Sequence, residues 1–278
     1  MAPTGDGGFV LTEPGPASTI EALERGVQAA GFAIDELRAV LVTHVHLDHS
    51  GAAGTLARRV RCPVLVHPEG AAHLIDPERL LASAERLYGP MMIPLWGETL
   101  SAPRELVRVM ADGETAVFGE LEASAWHTPG HARHHVIWQL GEQVATGDLA
   151  GVRFPGASHV LPPMPPPDID VGLWLDSLER LRQLKPSRLL LTHFGAFDDV
   201  DRHLDELEAR IERWSTLAGA AVGEGLAAED LVDRLTKLDE DEMAASEVPP
   251  AAVERYRRLC PMDGNSAGLL RYWQKRLG

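Results

Sequence analysis

The chain has 278 residues, with 41 acidic side chains against 26 basic ones and a formal charge of −15. That charge repels polyanions and no basic cluster offsets it, so a nucleic-acid partner is not expected. No window approaches the ~18 uncharged apolar residues of a membrane span. The start of the chain has no basic region ahead of an apolar core, and Cys62 and Cys260 form neither a disulfide framework nor a zinc knuckle. The expectation is an ordinary globular chain of the cytoplasm, long enough for one large domain or two modest ones.

Phe9 to Thr12 reads as a short strand entering the turn Glu13-Pro14-Gly15-Pro16. A helix is expected next, capped by Ser18 with Glu21 three residues on, lined by Ile20, Leu23 and Val27, and stopped at Gly31. Residues 39–43 form an apolar run that feeds His-Val-His-Leu-Asp-His at 44–49. His44 and His46 alternate with Val45, so extended backbone puts both imidazoles on one face. Asp48 and His49 follow where the strand should turn into a helix running to about Arg59. Imidazole and carboxylate are ligands of zinc, iron and manganese, and the carboxyl ends of strands are where open α/β sheets place their sites.

Val64 to Val66 reads as a strand, and the alternation of strand and helix points to a layered α/β fold. Residues 70–112 read as a helical insertion. One helix follows Asp76-Pro77 as far as about Tyr88, and a second spans about Pro103 to Met110. Between them, Met91 to Trp96 is apolar without period, suited either to an apolar substrate pocket or to a core beneath the insertion. Four strands are expected near 115–118, 121–127, 134–140 and 143–147. Five of the six residues at 162–167 are proline, which predicts a stiff loop over 155–167. A helix over about 170–184 and a strand over 188–192 lead to His193.

Beyond Phe197 the pattern is helical only, with Leu204, Leu207, Ile211 and Trp214 on one face and further helices near 226–238, 248–260 and 266–277. Residues 201–242 carry 13 acidic and 5 basic side chains, read as a solvated helix face. An apolar face such as the one bearing Trp214 could instead join two copies into a homodimer.

Three further ligand candidates sit at strand ends: His131 in the turn Thr128-Pro129-Gly130-His131, Asp148 after Thr146-Gly147, and His193. Of the other histidines, His127, His67 and His73 read as structural. His134 and His135 read as outer supports or core, with one of them facing the sheet interior. His159 sits where a substrate could be reached, and Cys62 reads as inert.

With these residues in view, roughly positions 9–197 resemble the metallo-β-lactamase superfamily. The resemblance implies a four-layer αββα sandwich, placed over residues 1–197, to which the helical pattern read beyond it adds a C-terminal extension over 198–278. It also implies a two-metal site: His44, His46 and His131 on one ion, Asp48, His49 and His193 on the other, and Asp148 bridging them. Two divalent ions, zinc first and iron or manganese as alternatives, would lower the pKa of a shared water from 15.7 toward about 7. The bridging hydroxide so formed would attack a small ester, thioester or lactone, and Asp48 could pass a proton to the leaving group. The resemblance also departs in places. Dinuclear β-lactamases commonly have cysteine where Asp148 stands and lack the last histidine of 44–49, which disfavours β-lactams as the main substrate. Glu13-Pro14-Gly15 stands where Asp-x-Gly is common, and residues 1–8 are short for a first hairpin. The alternative activity is that of the similar persulfide dioxygenases, which use one iron held by two histidines and an aspartate. A non-catalytic binding module is disfavoured by seven intact ligands.

Overall fold

The structure is a computed structural model that describes residues 1–277. The chain divides into two compact units. One comprises residues 1–127 and 134–147, the other residues 128–133 and the described residues from 148 onward.

In the first unit a parallel sheet grows from buried, β-branched segments. Its strands are β1 (Ala2–Pro3), β2 (Phe9–Thr12), β3 (Leu37–Leu41), β4 (Val64–Val66) and β5 (Val107–Val109), paired in that order. The β2–β3–β4–β5 pairings are parallel, and β1 folds back antiparallel on β2. Ala39, Val40 and Leu41 are all fully buried, the pattern of a strand covered on both faces. On one face lie α1 (Ile20–Ala29) and α3 (Ala53–Val60), which contribute Val27, Leu56 and Ala57 to a common core with Phe9, Val40 and Val64. A Cβ at Gly54 would stand 1.9 Å from the Leu100 carbonyl oxygen, so the small residue lets the returning chain lie against α3. The short α2 (Leu47–Ser50) sits between β3 and α3 in sequence.

An antiparallel meander follows, built from β6 (Thr115–Phe118), β7 (Leu121–His127), β8 (Val136–Leu140) and β9 (Gln143–Gly147). It reaches the parallel sheet through Val136 N–H to the Thr43 carbonyl (2.8 Å) and Trp138 Nε1–H to the Val42 carbonyl (3.2 Å). Trp138 is fully buried there. The meander matches the spacing read from the sequence.

Several expectations change. Ser18 does not cap α1. Its hydroxyl donates to the Leu95 carbonyl at 2.6 Å, and a 3-10 turn over Ala17–Thr19 precedes the helix. The expected helix over 103–110 is a 3-10 turn at Arg104–Leu106 followed by β5, because Val-Arg-Val finds an open sheet edge beside β4. The insertion instead holds α4 (Pro68–Ile75), α5 (Glu78–Tyr88) and α6 (Met92–Trp96). His67 caps α4 by accepting from Glu69 N–H at 3.0 Å, and His127 Nε2 lies 3.0 Å from the Met110 carbonyl. Both are structural as read. Cys62 is buried, and burial pushes its thiol up to about 11, which removes thiolate reactivity near neutral pH.

In the second unit, α7 (Val171–Gln183) starts at Asp170, whose carboxylate accepts from Leu173 N–H at 3.1 Å. It is followed by the hairpin β10 (Arg188–Leu191) and β11 (Gly195–Phe197), then α8 (Val200–Glu224), α9 (Ala228–Ala245), α10 (Pro250–Leu259) and α11 (Met262–Leu277). Leu204, Leu207, Ile211 and Trp214 are fully buried on α8, so the apolar stripe read there is core. Among the described residues no helix is long and apolar enough to cross a membrane.

His203, also on α8, is fully buried with Nε2 2.7 Å from the Ala150 carbonyl. Burial pushes its imidazole down to about 4 from 6.5, with nearby Arg153 lowering it further. Between those values the unfolded chain binds a proton that the folded one refuses. This contribution is complete above pH 6.5 and is lost as pH falls toward 4, by up to about 3 kcal/mol. Unfolding measured at pH 7 and pH 5 should therefore show a loss at the lower pH that His203→Gln reduces; an equal loss in the variant would place the effect elsewhere.

Candidate metal centre

The seven ligand candidates fall into two sets, one in each compact unit. In the first, β3 ends at Leu41, Val42 N–H still donates to the Leu65 carbonyl at 3.0 Å, and the chain runs on to α2 at Leu47. The shared face expected for His44 and His46 nonetheless holds. Their rings meet edge to face at 4.4 Å, and His44 Nε2 lies 2.9 Å from His46 Nδ1. Thr43 Oγ1 lies 3.0 Å from His44 Nδ1, which leaves Nε2 as the projecting nitrogen. Asp48 and His49 ride on α2, with Asp48 Oδ2 3.4 Å from His49 Nε2. His44 and His49 are fully buried, whereas the Asp48 side chain is about a third exposed.

Glu13 was missed as a site residue. One carboxylate oxygen accepts from Thr43 N–H at 2.7 Å, and the other contacts His49 Nδ1. A carboxylate only accepts, so it draws the His49 proton to Nδ1 and makes Nε2 the nitrogen that carries the lone pair. With His44 and His49 it also forms a set of donor atoms close enough to share one cation. The residue holds φ at +58°, a left-handed conformation costly for a side chain and tolerated where the surroundings impose it. The sequence signal was present in the turn Glu13-Pro14-Gly15, at the place where the resemblance expects Asp-x-Gly. Glu13→Gln should weaken zinc binding by about 10–100-fold, because an amide can present its NH2 to Nδ1 and invert the tautomer. Chelator competition on the two proteins checks this, and equal affinities would deny Glu13 the role.

In the second unit, His131 and Asp148 are almost fully buried. His131 Nε2 lies 3.2 Å from Asp148 Oδ2, and His193 Nε2 lies 3.3 Å from Asp148 Oδ1. One carboxylate thus addresses a different imidazole with each oxygen. His131 Nδ1 lies 2.9 Å from the Pro163 carbonyl, which can only accept, so a neutral ring keeps its proton there and presents the Nε2 lone pair to the carboxylate. Two acceptors facing each other at that distance suit a cation between them. Ligand atoms about 2.0–2.2 Å from a tetrahedral zinc stand about 3.3–3.6 Å apart, so the separations fit as well as the donor chemistry does. On both grounds these residues could hold a cation.

The support around this set is specific. Gly130 holds φ at +142°, and a Cβ there would stand 2.4 Å from the Trp174 Cα. Trp174 in turn packs edge to face on His131 at 5.6 Å and donates to the Leu149 carbonyl at 2.8 Å. His193 is tied through its carbonyl to Arg153 N–H at 2.9 Å. The buried Arg153 guanidinium pairs with Asp199 at 2.8 Å and lies over Phe197 at 4.3 Å.

The remaining histidines are placed as follows. His134 and His135 precede β8 and are both buried beside His44, at ring separations of 6.4 and 5.2 Å, where one facing inward was expected. A Cβ at Gly147 would lie 2.7 Å from His135 Nε2, so glycine is required at that strand end. His159 is not available to a substrate. It is 1% exposed and fixed between Asp239 and Arg210 at 2.9 and 3.0 Å. Near Asp48, burial raises the Tyr88 phenol above its usual range and the Asp48 charge raises it further. Tyr88 meets Trp96 edge to face at 5.0 Å, while Leu87, Met91 and Ile93 around it are exposed, so the insertion presents an apolar surface and not only a core.

Residues 4–193 match the family model of the metallo-beta-lactamase superfamily, and the chain belongs to that superfamily. A metallo-beta-lactamase fold-containing protein of Sulfurisphaera tokodaii is 29% identical over 184 residues, which are 64% of this chain and 69% of that one. A probable metallo-hydrolase of Methanocaldococcus jannaschii is 24% identical over 139 residues, 50% of this chain and 61% of its own length. The chain spans only 49% of the length of some mycobacterial relatives. In fold, a metallo-beta-lactamase family protein from Thermus thermophilus superposes with a TM-score of 0.69 at 22% identity, over 97% of this chain and 85% of that one. That likeness extends through the C-terminal helices. The architecture is the α/β sandwich of the superfamily with a C-terminal helical extension.

Proposed function

We propose that the chain is a dinuclear metallo-hydrolase, zinc-loaded, acting on a small ester, thioester or lactone. The observation that carries this reading is Asp148, whose two oxygens each face the Nε2 of a different histidine at 3.2 and 3.3 Å. His44, His46 and His131 would hold one ion and Asp48, His49 and His193 the other, with Asp148 shared. When bound, two divalent cations would supply a water acidified to near neutral pH and an electrophile for the carbonyl under attack.

The chain's own residues would do the rest. Glu13 and the Pro163 carbonyl keep the protons of His49 and His131 on Nδ1, which preserves the binding nitrogens. Asp48 is the one carboxylate of the set with substantial exposure, which suits it to carry a proton to a leaving alkoxide or thiolate. The exposed apolar residues around Tyr88 would receive an apolar portion of the substrate.

The test is a screen of chromogenic thioesters, lactones and phosphoesters on protein as purified, after chelation, and after zinc return. Hydrolysis lost on chelation and restored by zinc supports the reading. Activity untouched by complete metal removal sinks it. Oxygen uptake with a thiol persulfide by an iron-loaded protein would favour the oxygenase alternative.

A further inference from the structure

Between the proposed ligand His131 and the C-terminal helices lies a single peptide group. Its carbonyl, Pro163, accepts from His131 Nδ1 at 2.9 Å. Its amide, Met164 N–H, donates to Asn265 Oδ1 on α11 at 2.7 Å. The peptide is planar and trans, so the two bonds leave opposite sides of one rigid plate, and each polarises the other. Pro163 has its own φ fixed by its ring, and Met164, as the residue before Pro165, is confined to extended backbone, which narrows the conformations open to the plate.

The same loop is held at further points. A Cβ at Gly268 would stand 1.9 Å from the Met164 carbonyl oxygen, so α11 approaches by its backbone. Tyr256 Oη donates to the His159 carbonyl at 2.5 Å, and Arg210 reaches the Val160 carbonyl. His159 itself is bound to Asp239 at 2.9 Å. Helices α8, α9, α10 and α11 thus each anchor the proline-rich segment. Asn265 is 3% exposed, and its Nδ2 is without a hydrogen-bond partner among the described residues. The side chain is therefore retained at the cost of an unsatisfied amide, and its one bond is the acceptance from Met164.

We propose that Asn265 is a positioning residue for the metal site: through the Pro163–Met164 peptide it fixes the His131 ring and its Nδ1–H tautomer, so that the C-terminal helices set metal affinity. The inference rests on His131 being a ligand, as in the proposed function. It gives the helical extension a chemical task that its acidic sequence does not announce.

Asn265→Leu removes the acceptor, whereas Asn265→Asp keeps it at the same shape. Zinc affinity by chelator competition on the full chain is expected to fall about 10–100-fold in N265L and to return within about threefold of wild type in N265D. Histidine-selective nitrogen NMR of the metal-free wild type should show the His131 proton on Nδ1, with the Nε2–H form appearing in N265L. Equal zinc affinity in N265L and wild type overturns the inference and leaves the ligand assignment standing. A wild-type chain that takes up no zinc removes both. Should N265L fail to fold, the wild-type spectrum decides: a proton on Nε2 overturns the inference.

Discussion

Asp148→Asn should lower hydrolytic turnover by about a thousandfold and reduce the bound metal from two ions to one or none. The substitution keeps the volume of a side chain that is 4% exposed, so the fold has little reason to change. What changes is one oxygen, replaced by an NH2 that donates and cannot ligate. Asp148 lies 3.2 Å from His131 and 3.3 Å from His193, so whichever way the amide turns, one imidazole loses its carboxylate partner. The negative charge that would offset two dications is lost as well. Steady-state turnover measured beside metal content per chain tests this. A variant with both metals and full turnover would end the bridging role.

Gly130→Ala should destabilise the protein by about 3 kcal/mol or more and weaken metal binding with it. The added methyl would meet the Trp174 backbone, with Cα at 2.4 Å and N at 2.6 Å, so no side-chain rotation relieves the clash. The φ of +142° independently disfavours any L side chain. The turn is further held by Asp170 N–H on the Gly130 carbonyl at 2.8 Å, so it cannot shift without uncapping the start of α7. His131 is the next residue, which is why stability and metal affinity should fall together. Denaturant unfolding and a zinc titration check the pair. A variant within about 0.5 kcal/mol of wild type would show that the turn relaxes freely.

Much of this was legible in the sequence because local pattern and tertiary demand agreed. The alternating segments of 115–147 had glycine at each turn and became the meander, and the buried run before His44 became β3. His44, His46, His131 and Asp148 stood out as candidates by type and by position at segment ends. Other features depended on contacts far away in sequence. Val107–Val109 is a strand because β4 offers an edge, which no local propensity records. Ser18 had the spacing of a capping box, yet its hydroxyl is taken by the Leu95 carbonyl. Glu13 looked like a departure in a turn, and its role emerges only when His49, 36 residues on, is brought to its carboxylate. His159 sat in a loop suited to substrate contact, but Asp239 on α9 immobilises it. Asn265 carried no signal, since its partner is a backbone amide in the proline-rich loop.

The most direct measurement is metal content per chain, by elemental mass spectrometry, on protein purified without added metal or chelator. About two divalent ions per chain, zinc first, is the expected result for paired sites of nitrogen and carboxylate ligands. No metal as purified, and none taken up on titration, would contradict the central claim that these seven side chains hold a dinuclear centre.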